Sequence, residues 1–198
     1  MARFVAFLRA LNVGGSHVVK MDALRSIFEG LGFAGVETFI ASGNVIFETR
    51  SRDAAAMERK IEKALELSLG HEVATFLRSP EDVARIARYQ AFSEAATAAA
   101  VSVNVGLLKE APARATREAI LKLKTDIDDL HVDGAEIYWL CVKGQGGTKI
   151  SSGAFERPLH SRMSSRPTTS TVGPSTATSP SSASERRSAS HPAGGWGG

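Results

Sequence analysis

The chain has 198 residues, 43% of them hydrophobic, and a single cysteine, Cys141, so it can bury one sizeable core or two small ones and cannot form an intramolecular disulfide. Its formal net charge of +3 arises in residues 158–198, which hold four arginines and one glutamate, whereas residues 1–157 carry 20 basic and 20 acidic side chains. This neutrality argues against nucleic acid as the main partner, because affinity for phosphate backbones depends on clustered lysine and arginine.

The first 78 residues alternate between patterns typical of strands and of helices. The predicted order is strand, helix, hairpin, helix and strand, over residues 4–8, 21–31, 36–49, 51–69 and 73–78. Ser51 is placed to cap the second helix and Gly70 to end it, and Ser42, Gly43 and Asn44 have the composition of a hairpin connection. This β-α-β-β-α-β order predicts a ferredoxin-like sandwich, in which helices cover one face of a four-stranded antiparallel sheet.

A connecting helix and a second, similar run of elements follow. Ser79, Pro80 and Asp82 supply an N-cap, a first-turn proline and a capping acid, which predict a helix to about Phe92. A strand, a helix and a hairpin around Asp133-Gly134 then repeat the order β-α-β-β, over residues 101–108, 113–125 and 130–142. We therefore expect an α+β chain with two ferredoxin-like subdomains in tandem, the second incomplete. The expected divisions are a first subdomain at 1–78, a connecting helix at 79–98, a truncated subdomain at 99–157 and a disordered tail at 158–198.

Three segments carry a resemblance to a known family. LRALNVGG at 8–15, MDALR at 21–25 and SGNVIF at 42–47 resemble the signature of the bacterial domain of unknown function 1697, which typically reads LRGxNVGG, MxxLR and SGNVxF. The resemblance covers about residues 1–157 and implies two ferredoxin-like subdomains without an established activity. Ala10 stands where the family frequently has glycine.

The resemblance stops near Arg157. The family usually continues into a helix, an Arg-Asn-Trp-type strand and a last helix, whereas the sequence here changes to a mixture of serine, threonine, proline, arginine, alanine and glycine. Because these residues have GC-rich codons, we expect a frameshift near codons 157–160. The second subdomain would then lose its last strand, which would leave the edge of residues 101–108 unpaired.

The loop from Asn12 to Ser16 is the first candidate ligand site. It follows a strand, its glycine pair lets backbone N–H groups approach an anion, and a lysine follows near a helix N-terminus. A glycine pair here also suits a plain turn, and the spacing is not that of a P-loop. Together with the resemblance, these patterns predict a ligand-binding set of Arg9, Asn12, Gly14, Gly15, Lys20, Ser42, Gly43 and Asn44. One expectation opposes a shared site, because the 12–16 loop and the hairpin tip are predicted at opposite ends of the sheet.

Other patterns give weaker indications of chemistry. The histidines show no metal-ligand spacing, and Ser42 lacks the context of a nucleophile elbow, so neither a metal nor a cofactor is predicted. The acidic segment 126–129 is expected to be a solvated turn. Cys141 lies in the apolar run IYWLCV and is expected to be a buried thiol.

Three functions remain open at this stage. The first is a binding module for a small anionic ligand or a macromolecule, since no pattern demands catalysis. The alternative is an enzyme that acts on a phosphorylated or otherwise anionic small molecule through Arg9, Asn12 and Lys20. The second alternative is RNA binding through sheet aromatics, for which the candidates are Phe39, Phe47, Tyr138 and Trp139. No signal-like or membrane-spanning run is present in the sequence, so a cytoplasmic location without membrane contact is expected.

Overall fold

A computed structural model describes residues 1–12, 19–39, 43–144, 146–150, 152–159 and 164–168. Its first six elements are β1 (Ala2–Arg9), α1 (Met21–Gly30), β2 (Ala34–Phe39), β3 (Asn44–Thr49), α2 (Ala54–Leu69) and β4 (Ala74–Arg78). Two helices follow, α3 (Pro80–Arg88) and α4 (Glu94–Ala99). The last six are β5 (Ser102–Leu107), α5 (Arg114–Leu121), β6 (Asp128–Asp133), β7 (Glu136–Cys141), α6 (Ser152–Leu159) and β8 (Ser164–Thr168).

The strands form two antiparallel sheets. Within the described residues, the first sheet has the order β2-β3-β1-β4 and the second has the order β6-β7-β5-β8. Helices α1 and α2 pack on one face of the first sheet around Leu24, Phe28, Phe47 and Ile61, all fully buried. Helices α5 and α6 cover the second sheet in the same way, so the predicted α+β class is confirmed.

The expectation that the edge of β5 is unpaired is wrong. Strand β8 pairs with it antiparallel from Val103 to Leu107, so the second sheet has four strands. The composition of this segment gave no strand signal, because an added edge strand is held by backbone hydrogen bonds that any extended sequence can make. Pro167, which has no N–H to donate, is compatible with an edge position. Most of the expected tail, residues 160–163 and 169–198, lies outside the described residues.

Helix ends agree with the sequence in some places and differ in others. The Ser79–Asp82 capping box and the left-handed Gly70 are confirmed. The cap of α2 is Asp53 rather than Ser51, since the Asp53 carboxylate accepts the Ala56 N–H at 2.9 Å. The connecting segment contains two short helices instead of one, with α4 capped by its own serine, Ser93.

The two sheets face each other across a third apolar cluster. Phe76 of the first sheet meets Val105, Leu107 and Tyr138 of the second, and Ile86 of α3 joins them. At the rim of this cluster, the Arg78 guanidinium donates to Glu136 at 2.9 Å and to the carbonyl oxygen of Leu108 at 2.8 Å. Both ionic side chains are buried and hydrogen-bonded. A specific polar network therefore joins the two sheets, in addition to apolar packing.

Carboxylates of α2 protect the free edge of β4. Glu62 accepts the Thr75 N–H and Glu58 accepts the Leu77 N–H, both at 2.9 Å. An edge strand otherwise presents unpaired N–H groups to other chains. The two glutamates are four residues apart and therefore project from the same side of the helix.

Two predictions about single side chains have opposite outcomes. Cys141 is fully buried, as predicted, and burial raises the pKa of its thiol to about 11. Asp128 is not in a solvated turn but lies 3% exposed at the start of β6. It accepts hydrogen bonds from Trp139 Nε1 at 3.1 Å and Thr148 Oγ1 at 2.7 Å, so this carboxylate organises the interior.

Candidate functional site

The C-terminal end of β1 lies beside the tip of the β2–β3 hairpin. Phe7 pairs with Asn44 in the sheet register, and the Leu8 N–H donates to the Gly43 carbonyl oxygen at 3.2 Å. The prediction that these two loops lie at opposite ends of the sheet is therefore wrong. Because β1 and β3 are antiparallel neighbours, the end of one strand and the start of the other coincide.

Gly43 allows the backbone at the hairpin tip to lie close to the Leu11 side chain. Its φ of +81° lies in the left-handed region, and a Cβ atom there would be 2.7 Å from Leu11 Cδ2. Only glycine meets both conditions without a shift of the Leu11 side chain. Gly43 thus has a definite structural role, which is to let the hairpin lie close against Leu8 and Leu11.

The residues after β1 are held by specific contacts. Ala10 has a φ of +63°, and its carbonyl oxygen lies 3.0 Å from His71 Nε2. Asn12 accepts the Val19 N–H through Oδ1 at 2.9 Å. This bond connects the residues on either side of segment 13–18. That segment, with the predicted Gly14 and Gly15, lies outside the described residues, and so does Ser42.

Lys20 brings positive charge to the same neighbourhood. It is the exposed N-cap residue of α1 and directly follows Val19, which is bonded to Asn12. The Lys20 side chain itself makes no capping hydrogen bond. The first backbone N–H groups of a helix and its dipole favour an anion, and the lysine adds a full charge at that end.

Arg9 and Asn44 occupy the face of the first sheet opposite α1 and α2. Arg9 is half-buried, with Nη1 enclosed, and pairs with Ala74 at the beginning of β4. Asn44 Oδ1 is also enclosed and has no hydrogen-bond partner among the described residues. Of the predicted set, the structure thus gathers Arg9, Asn12, Gly43 and Asn44 at one end of the sheet. Lys20 begins α1 at the same end, on the face that the helices cover.

Polar side chains elsewhere in the described ranges have structural partners. His131 Nε2 lies 2.8 Å from the Tyr89 hydroxyl, and Lys149 pairs with Asp126 at 2.9 Å. His17 falls in segment 13–18, outside the described residues. Within the described ranges no group of three or more potential ligand side chains could hold a metal ion.

The proposed RNA-stacking aromatics are mostly interior. Phe47, Tyr138 and Trp139 are at most 4% exposed, since the first packs under α1 and the other two belong to the buried clusters of the second sheet. Phe39 differs, with 60% of its surface exposed. The described part of the two sheets therefore offers one accessible candidate aromatic instead of the row that RNA-binding sheets use.

A cleft of about 570 Å³ lies at the other end of the first sheet. Phe33 and Met57 line its interior, and Lys60 donates to the Leu31 carbonyl oxygen at 2.7 Å beside it. No motif pointed to this cleft, because its walls come from the ends of α1 and β3 and the start of α2. None of the predicted ligand-binding residues lines this cleft.

Comparisons with known proteins agree on family and fold. A family model described as "Protein of unknown function (DUF1697)" matches residues 1–138. A solved structure, that of conserved bacterial protein SP0830 from Streptococcus pneumoniae, is similar with 22% sequence identity and a TM-score of 0.64, and the match covers 84% of this chain and 92% of that one. At this identity the likeness concerns the fold alone. No curated protein matches the chain, and none of the described helices has both the length and the apolar character needed to span a membrane.

Proposed function

The chain belongs to the DUF1697 family of proteins of unknown function, and on that premise we propose that it binds a small anionic ligand at the end of its first sheet. The observation that carries this proposal is the convergence of two separate sequence segments, residues 9–12 and 43–44, next to the start of α1. Arg9 and Lys20 supply positive charge, and Asn12 positions Val19 and Lys20.

We also infer that each sheet with its helices is a ferredoxin-like unit. Both units have the element order β-α-β-β-α-β. Both also place their strands in the order second, third, first, fourth. In this arrangement the loop after the first strand and the tip of the central hairpin share one end of the sheet, which supports a ligand site there.

The polar groups are suited to holding an anion in place. A hydrogen bond to a charged group contributes about 1.5–3 kcal/mol, and the guanidinium of Arg9 can present two parallel donors to a phosphate or carboxylate. Enclosure of Arg9 Nη1 limits the motion of that side chain. Binding would therefore use groups that are already positioned, which lowers its entropic cost.

Calorimetry on the full chain tests the proposal. We expect inorganic phosphate or a phosphorylated small molecule to bind, and Arg9→Gln and Lys20→Gln each to weaken binding about tenfold or more. Arg52→Gln is the matched control, because Arg52 is exposed and lies before α2 at the other end of the sheet. An equal effect of the Arg9 and Arg52 substitutions, or no binding of any anion, would overturn the proposal.

A further inference from the structure

Phe39 is an exposed aromatic residue on the face that carries Arg9 and Asn44. It ends β2, pairs with Asn44 of β3, and Asn44 pairs with Phe7 of β1. Residues directly opposite each other in neighbouring strands project from the same face, as do residues two apart in one strand. Phe39, Asn44, Phe7 and Arg9 therefore share one face.

The second sheet covers only part of this face, the part that β4 and β1 contribute. The cluster between the sheets takes Phe76 from β4 and reaches Phe7 of β1 at its margin, but it includes no residue of β2 or β3. Phe39 lies outside the covered part and is exposed. A flat apolar ring thus stands free beside the anion site.

We propose that the anionic ligand is a nucleotide whose base stacks on Phe39 while its phosphate is held by Arg9, the cation on the same face. This inference rests on the proposed function. Across the strands, Phe39 of β2 is about 10 Å from its register position in β1, Phe7. Along β1, Arg9 is about 7 Å beyond Phe7. A nucleotide, whose base and phosphate are joined through a sugar, is long enough to contact both Phe39 and Arg9. Inorganic phosphate can contact only Arg9.

The neutral charge of residues 1–157 favours a free nucleotide over a nucleic-acid strand. Both sources have the same chemistry at this site, a base linked to a phosphate. The experiment therefore compares four probes on the full chain by calorimetry: adenosine monophosphate, ribose 5-phosphate, inorganic phosphate and a six-nucleotide oligoadenylate.

We expect adenosine monophosphate to bind more tightly than ribose 5-phosphate, by the about 5- to 150-fold that one base–aromatic stack contributes. Phe39→Ala should remove that advantage and leave ribose 5-phosphate unaffected, and Phe39→Tyr should retain it. Leu67→Ala is the matched control, since Leu67 is also an exposed apolar residue and lies on α2. Unchanged melting of each variant establishes that the protein is folded.

The outcomes separate the two levels of the hypothesis. Equal affinity for adenosine monophosphate and ribose 5-phosphate would overturn the nucleotide inference and leave the anion site standing. Absence of binding by every probe would overturn both. Much tighter binding of the oligoadenylate that also depends on Phe39 would support base stacking and identify a strand as the source.

Discussion

Replacing Gly43 by alanine should destabilise the protein more than the same change at another left-handed glycine. At Gly43 the new Cβ meets Leu11 Cδ2 at 2.7 Å and Leu8 Cβ at 3.4 Å, with φ at +81°. Gly70 has nearly the same φ, +75°, but no atom within 4 Å of the new Cβ. Both substitutions incur the backbone penalty, about 1–2 kcal/mol, and only Gly43→Ala adds an overpacking cost of about 1–3 kcal/mol.

The difference between the two variants measures the close approach at the candidate site. Urea denaturation should give a free energy of unfolding about 1–3 kcal/mol lower for Gly43→Ala than for Gly70→Ala. Each kcal/mol corresponds to about 2–4 °C in melting temperature for a chain of this size. A loss for Gly43→Ala no larger than that for Gly70→Ala would refute the reasoning.

A double variant tests the identity of the clashing atom. Leu11→Ala alone should be costly, about 2–5 kcal/mol, because Leu11 is buried. Combined with Gly43→Ala, it removes the atom that the new methyl group meets. The stability losses of the two single variants should therefore add up to more than the stability loss of the double variant. Strict additivity would indicate that Leu11 does not limit position 43.

Three further predictions concern stability. Ala10→Gly should raise the free energy of unfolding by about 0.5–1 kcal/mol, because Ala10 has a positive φ, whereas Ala64→Gly within α2 should lower it by about 1 kcal/mol; a loss for Ala10→Gly in urea denaturation would contradict this. Burial raises the pKa of Glu58 above its usual value, so the folded state favours the protonated form, and stability is lost as pH rises from the unfolded pKa to the folded one. Glu58→Gln removes this loss and should therefore gain stability relative to the parent through that pH window, and a pH-independent difference between the two melting curves would argue against it. Arg78→Leu should cost about 3–5 kcal/mol, since it leaves Glu136 buried with one partner fewer, and the double variant with Glu136→Leu should recover part of that loss; no recovery would indicate that Arg78 acts through packing alone.

The sequence alone was sufficient for features that depend on neighbouring residues. The periodicities around Leu24, Ile61 and Val105 predicted α1, α2 and β5, because each pattern repeats with the period of its own element. The capping box at Ser79 and the left-handed Gly70 were equally local. Family membership also followed from short segments near the N-terminus.

Three features of the structure differ from the sequence-based predictions: a helix cap, an added edge strand and a buried carboxylate. The N-cap of α2 is Asp53, two residues after the predicted Ser51. β8 was missed because its pairing with β5 uses backbone groups, which composition does not report. The prediction that Asp128 faces solvent is wrong because its partners, Trp139 and Thr148, are distant in sequence and meet it only after folding.

For the candidate site, the sequence by itself determined which residue types were present, and tertiary structure decided which of them meet. Arg9, Asn12, Gly43 and Asn44 belong to two segments about 30 residues apart, and only the antiparallel pairing of β1 with β3 places both at one end of the sheet. Packing likewise decides the aromatic side chains: helices cover Phe47 and Trp139, the contact between the sheets covers Tyr138, and Phe39 stays exposed. Burial of an aromatic ring depends on which surfaces cover it, and that information lies in contacts between distant residues rather than in the local sequence.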